Sequence, residues 1–449
     1  MLDINFIKKI GKIAWPISLQ SILVTLLGMI DIVMVSHLGD SAVASVGISN
    51  RIFFVILIIM TGIASGVGVL SAQYYGAAQV EKIKSIVAMA IVFSSIVLIP
   101  IVALNYYFAA DIITLASSDN VVVGLGESYL WVTVPSLFFI AVIIIFENAL
   151  RGTGQVKLPL FLSMLAIGIN IILNYWLING GLGVEAMGVE GAAWATTISR
   201  FIHLLIMLVS LRKSAQLVFP SLISSLQLND RKRWGKFIRL IWPMMISFGV
   251  WSLGTFVYQL IYGRMGTQEL AVMSMLMPIE GVLISFFFGF SSACSILVGQ
   301  NLGKSDFNAA WGTAKFFSTI GPIVTLVLAT ILYLLKDVVF LPFQLISESA
   351  LLLAEDVFLL IIFGTCIKVL NMTISMGVLR AGGDNKYCLL IDTVGMWVVS
   401  IPLTFLAAFY FQWPLFWVVV TAYSEEFCKA LMFILRMKNK TWLRNLTTE

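Results

Sequence analysis

Twelve apolar stretches, each near the ~20 residues a helix needs to cross the hydrocarbon core of a bilayer, run along this 449-residue chain. They fall at about 12–37, 43–72, 84–107, 125–149, 159–178, 192–211, 237–264, 270–298, 312–335, 353–379, 388–410 and 414–436. Hydrocarbon offers no partner to a backbone N–H or C=O, and a helix satisfies both within one segment. The expected fold is an all-α membrane protein of twelve transmembrane helices. The chain is 60% hydrophobic and 11% charged. A soluble domain carries roughly 25% charged residues, and a surface this apolar would aggregate in water. The bilayer is its expected solvent. Met1 to Lys12 contains Asp3 and Asn5 and no small-residue cleavage site, so the first stretch is expected to be a retained span rather than a secretion signal.

Orientation follows from where Lys and Arg fall. With the N-terminus in the cytoplasm, 23 of the 28 basic residues collect on the cytoplasmic side. Arg264 and Lys336 lie outside, and Arg51, Arg200 and Lys368 lie within or near spans. Both termini are expected to be cytoplasmic, in a multi-pass bacterial inner-membrane protein. The net charge of +5 reflects this bias, and no basic domain points to nucleic acid.

The chain repeats itself. Ile13-Ala-Trp-Pro16 returns as Leu240-Ile-Trp-Pro243, an offset of 227 (243 − 16). Gly39 and Gly266, and Gln73-Tyr-Tyr-Gly76 and Gln300-Asn-Leu-Gly303, keep the same offset. Arg151 and Arg380 open related turns 229 apart (380 − 151). An even number of spans per half makes the repeats parallel, related by a pseudo-two-fold axis along the membrane normal. The expected organisation is a six-helix bundle at 1–212, a cytoplasmic linker at 213–235 and a second six-helix bundle at 236–449.

In this order and spacing the landmarks resemble the multidrug and toxic compound extrusion (MATE) family, over essentially the whole chain. The resemblance rests on Pro16 with Asp31 fifteen residues later and on Leu38 to Gly47. It rests also on the Gln73 turn, Leu150-Arg-Gly-Thr-Gly154, Gly191-Ala-Ala-Trp-Ala-Thr196 and Leu379-Arg-Ala-Gly-Gly383. It implies two bundles forming a V-shaped central cleft, and export of cationic amphiphilic drugs or dyes in exchange for H⁺ or Na⁺. The proton-coupled bacterial type fits best, as a monomer without cofactor. A sodium-coupled exporter and a lipid-linked oligosaccharide flippase are the alternatives.

An ionisable side chain inside a span is costly and is read first as functional. Asp31 lies in the outer part of span one, in line with Ser21, Thr25 and Gly28. A carboxylate there can take up and release a proton; the competing reading is a structural hydrogen bond. Asn170 and Asn174 stand one turn apart on span five and need partners in hydrocarbon. The resemblance places such a pair, and a hydroxyl matching Thr196, around the span-one aspartate. Proline at position 16 removes a helix hydrogen bond, and the resemblance implies that span one bends there.

Sodium-associated members of the family carry acidic residues early in span seven and midway along span ten. Trp251 and Val369 stand near those places here, which favours protons, since a hard cation wants several oxygen ligands. Glu280 is expected to meet substrate or to pair with Arg51 or Lys368, and Asp392 to lie near the cytoplasmic entrance. Glu147, one turn before Arg151, is expected to form a gate or an interface ion pair with a nearby base, and Glu425 to pair with Lys429. Arg200 and His203 share a face of span six. The four cysteines lie in apolar stretches without a CxxC, and two histidines are too few for a histidine-based metal centre. With no HExxH, GxSxG or GxxxxGK[ST] present, an enzyme or an ATP-driven pump is not expected.

Overall fold

The computed structural model describes residues 4–181, 183–214, 217–220, 230–341 and 348–448. Among these, eleven helices are long and apolar enough to span a bilayer. In the first half they are α1 (Ile4–Val35), α2 (Asp40–Gly76), α3 (Val80–Thr114), α4 (Asn120–Gly152), α5 (Lys157–Asn179) and α6 (Gly188–Ser214). In the second half they are α7 (Arg231–Met265), α8 (Thr267–Gly303), α9 (Phe307–Leu334), α10 (Leu351–Gly382) and α11 (Asn385–Tyr410). The twelfth expected span is helical but divided. It runs as Leu415–Ala422 and resumes as Ser424–Lys438, with Tyr423 at the break; the two pieces together are α12. Within the connection at 213–235, residues 215–216 and 221–229 lie outside the described residues, and residues 231–235 already begin α7.

Helix faces explain the burial pattern. On α9, Ala310, Ala314, Phe317, Gly321 and Thr325 recur at helical spacing and are buried. Val324, Val327, Ile331 and Leu334 form an exposed apolar stripe on the same helix. In water that stripe would be a liability; against lipid it is the expected outer surface.

The chain forms two compact units, residues 22–245 and residues 1–21 with 246–449. Helices α1 and α7 therefore each contribute to both. Pro16 and Pro243 stand shortly before these changes of unit, each inside a continuous helix. In the first unit, α4 turns at a 3₁₀ segment, Val134–Ser136, which contains Pro135. A small core of Val35, Val46, Tyr129, Ile178 and Ala193 closes one end of that unit. In the second unit, α10 and α11 contain π-helical stretches at Thr373–Leu379, Val394–Ser400 and Leu406–Tyr410. Such wider turns shift which side chains face the interior, and they recur at functional sites.

Candidate functional site

The polar residues of the first unit meet because α5 and α6 run antiparallel at close quarters. A Cβ at Gly191 would lie 2.4 Å from the Leu177 carbonyl oxygen, so glycine is what permits the approach. One face of α6 then meets the asparagine face of α5. Asn174 Nδ2 donates to Asp31 Oδ1 at 2.7 Å and to Asn170 Oδ1 at 3.1 Å. Asn170 Nδ2 donates to Ser199 Oγ at 3.2 Å, and the Ser199 hydroxyl donates to the Thr196 carbonyl at 2.9 Å. Both asparagines are buried, while Asp31 is half-buried on α1 between the buried Leu27 and Val35. Asn174 Oδ1 is buried and, among the described residues, accepts no hydrogen bond.

Thr196 joins less directly than the other three. Its side chain hydrogen-bonds Tyr129, whose hydroxyl donates to Asn50 Oδ1 at 3.1 Å. Asp31 also feels the charge of Arg200, and Arg200 in turn feels both Asp31 and Glu147. Glu147 accepts from Ser163 Oγ at 3.0 Å and lies 3.9 Å from Arg151 Nη2. The structure thus links Asp31, Asn170 and Asn174 by direct bonds, with Thr196 at one remove and Glu147 paired with Arg151 toward the other end of the unit.

Sequence reasoning did not pick out Tyr129, Asn50 or Ser199. Ser199 carried a usable signal, standing one turn beyond Thr196 on the same face. Tyr129 carried none, because a tyrosine in a span is as often an ordinary packing or interfacial residue.

In the second unit the remaining charged candidates are occupied by partners. Lys368 Nζ donates to Glu280 Oε1 at 2.5 Å and sits 4.5 Å from the Tyr423 ring centroid; the Tyr423 hydroxyl donates to the same oxygen at 3.1 Å. Of the bases considered for Glu280, it is Lys368 that the fold brings to it. Arg380 Nη2 donates to Ser247 Oγ at 2.8 Å and to Asp392 Oδ2 at 3.1 Å, and Ser247 also bonds Asp392. Lys429 pairs with Glu425 at 3.6 Å, and the Tyr258 hydroxyl donates to Glu425 at 3.0 Å. Arg51 is exposed on α2, and Pro16 is buried within α1. Among the described residues no group of three or more His, Cys, Asp or Glu side chains is placed to hold a metal ion.

The MatE family model matches two stretches of the chain, residues 16–176 and 243–406. The matches begin at the two repeat prolines. The chain is 25% identical over 439 residues to the uncharacterized transporter YisQ of Bacillus subtilis (strain 168), covering 96% of this chain and 94% of that protein. It is 24% identical over 408 residues to the probable multidrug resistance protein NorM of Thermotoga maritima, covering 90% and 86%. A solved structure described as the outward-facing conformation of a multidrug resistance MATE family transporter of the MOP superfamily superposes with a TM-score of 0.87 at 20% identity, covering 98% of this chain and 97% of that one. With both halves matched by the family model, the chain belongs to the MatE family of multi-pass membrane transporters.

Proposed function

We propose that this protein is a secondary antiporter that exports cationic amphiphilic compounds in exchange for protons, with Asp31 as the proton-carrying group. The observation that carries the reading is the geometry at Asn174. Its amide nitrogen donates to Asp31, and its amide oxygen is a buried acceptor with nothing to accept. A buried acceptor without a donor is costly, and a protonated Asp31 is a donor one hydrogen bond away. One amide therefore matches both states of the carboxyl group, donating to the anion and accepting from the acid.

Protonation re-forms the bonds among Asp31, Asn174 and Asn170, while Thr196 and Tyr129 hold the far side. Pro16 lies fifteen residues earlier on the same helix. Its missing N–H leaves the Lys12 carbonyl without the usual helical partner, a weak point at which α1 bends. Proton and drug then bias one conformational equilibrium in opposite senses, which suffices to couple their fluxes. Export of drugs is supported by the names of relatives such as the Thermotoga maritima NorM. Protons rather than Na⁺ are supported by the Asn174 amide donor turned onto Asp31, since a sodium site needs oxygens turned inward. In the second unit an ammonium, that of Lys368, already occupies Glu280. We place both termini in the cytoplasm of a bacterial cell, from the distribution of Lys and Arg.

Ethidium efflux from proteoliposomes, driven first by a pH gradient and then by a Na⁺ gradient, tests this. The wild type is expected to export with the pH gradient alone, and Asp31→Asn to lose that export while still binding ethidium. Efflux driven by Na⁺ alone overturns the coupling ion. Absence of dye movement under both gradients by folded wild type overturns the exporter and favours a lipid-linked oligosaccharide flippase.

A further inference from the structure

Within the first unit, one buried titratable side chain takes no part in the network around Asp31. His203 of α6 is 2% exposed, and neither ring nitrogen has a hydrogen-bond partner among the described residues. A neutral imidazole carries one N–H donor and one bare nitrogen acceptor. Leaving both unmet in an apolar interior costs free energy, and such groups in native proteins call for a specific explanation.

The register of α5 against α6 shows what His203 stands beside. Leu177 opposes Gly191 and Asn170 bonds Ser199. In an antiparallel pair, four residues further along α6 from Ser199 corresponds to four residues back along α5 from Asn170. His203 is therefore level with Ala166, a small buried residue. At 1.5 Å per residue it lies ~6 Å along the helix axis from Asn170 and ~4.5 Å from the level of Ser163. Ser163 donates to Glu147 at 3.0 Å. His203 thus occupies the gap between the two polar clusters of the unit, with Asp31, Asn174, Asn170 and Ser199 on one side and Ser163, Glu147 and Arg151 on the other.

We propose that His203 is a proton-relay residue that connects the Asp31 site to Glu147 through the interior of the first unit. The inference rests on the proton-coupled reading above. A proton released by Asp31 moves over water held along the amide and hydroxyl groups and binds the bare ring nitrogen, giving an imidazolium. The opposite N–H then gives its proton to the Glu147 carboxylate, which leaves the ring neutral in its other tautomer. Return of the ring to its first tautomer completes the cycle with no net bond made or broken. Water between the polar groups carries the proton over the gaps.

Besides His203, α6 carries Arg200, with Glu190 in its first turn and Arg212 and Lys213 in its last. Arg200 stands one turn from His203 on the same helix and feels both Asp31 and Glu147. Helix α4 contributes Tyr129, Glu147 and Arg151, with Glu127 near its start; α5 contributes Lys157 and Tyr175 at its two ends. Glu147 is the carboxylate among these that lies beyond His203 from Asp31, and Arg151 beside it balances its charge when the proton leaves.

The test uses the full-length protein in proteoliposomes with ethidium as cargo. Under a pH gradient, His203→Gln is expected to keep ethidium binding within about twofold of wild type yet to export at least about tenfold more slowly, in line with the loss of a proton-transfer group. His203→Ala is expected to regain part of the rate when imidazole is added to the buffer. Wild-type rates in His203→Gln overturn the relay and leave proton coupling through Asp31 intact. A slow His203→Ala that binds ethidium normally and gains nothing from imidazole also overturns it, marking a packing residue. A wild type driven by Na⁺ alone overturns the coupling reading and the relay with it, and shows itself before any variant is compared.

Discussion

Gly289 of α8 lies so close to Ser18 of α1 that a Cβ on the glycine would meet the serine amide nitrogen at 2.4 Å and the Ala14 carbonyl oxygen at 2.5 Å. The counterpart of this contact lies 227 residues earlier (289 − 62), where a Cβ on Gly62 would sit 2.7 Å from Met245 Cα. Ser18 and Met245 are themselves 227 apart (245 − 18). Each repeat thus seats the other repeat's first helix in a glycine notch, within its own compact unit. Close backbone approach is a main source of helix–helix affinity in lipid, where apolar side chains gain little by leaving the hydrocarbon.

That notch makes Gly289→Ala informative. Ala14 and Ser18 present backbone atoms, which cannot rotate away, so the helices must separate. Overpacking of this kind costs about 1–3 kcal/mol. The expected result is a lower Tm of the purified protein in detergent. An unchanged Tm would mean that α1 and α8 do not meet this closely.

Asn174→Ala removes the donor to Asp31 and to Asn170 together. Hydrogen bonds to charged groups contribute about 1.5–3 kcal/mol, so the site should lose its order. Ethidium efflux driven by a pH gradient is expected to fall at least tenfold, with a smaller fall for Thr196→Val, because the Thr196 side chain bonds Tyr129 and not Asp31, Asn170 or Asn174. Equal losses in the two variants would contradict this ranking.

The Glu280–Lys368 pair predicts a non-additive series. Removing one partner leaves a partly buried charge without its ion pair, whereas replacing both by apolar residues is often neutral. Lys368→Met alone should lower Tm strongly, and adding Glu280→Leu should restore most of the loss. Additive losses in a double-mutant cycle would show that the two side chains do not interact.

Arg380 is bound by geometry as well as by charge. Its guanidinium reaches Ser247 and Asp392 and lies 5.0 Å from the Phe248 ring centroid. Lysine keeps the charge but loses the planar group that lies over the Phe248 ring. Arg380→Lys is expected to destabilise by about 1.5 kcal/mol or more, read as a drop in Tm, while Arg264→Lys, on an exposed position of α7, should leave Tm unchanged. Equal Tm values for both variants would show that charge alone is needed at Arg380.

Much of the fold is legible in the sequence because a bilayer accepts few structures. An apolar run of span length has to be a helix, so span positions followed from hydropathy, though the last is divided at Tyr423. A lone carboxylate and an asparagine pair in such helices stand out for the same reason, and Asp31, Asn170 and Asn174 do bond to one another. Tyr129, Ser199 and His203 stayed inconspicuous, since side chains of these kinds sit in many spans without a role. Where Ser199 and His203 lie follows from the Gly191 approach, which decides what α6 faces.

The sequence by itself determined the apolar helices, the repeat and the family, because each is written in local composition or in order along the chain. Only the tertiary structure decided the partners. It chose Lys368 for Glu280, 88 residues away, drew Asn174 to Asp31 across 143 residues, and left His203 buried without a hydrogen bond among the described residues. It also divided α1 and α7 between the two compact units. Helices form from bonds a few residues apart, whereas a side chain's partner depends on how whole helices approach and rotate. That approach is set by backbone contacts at single glycines, whose effect appears only once the helices pack.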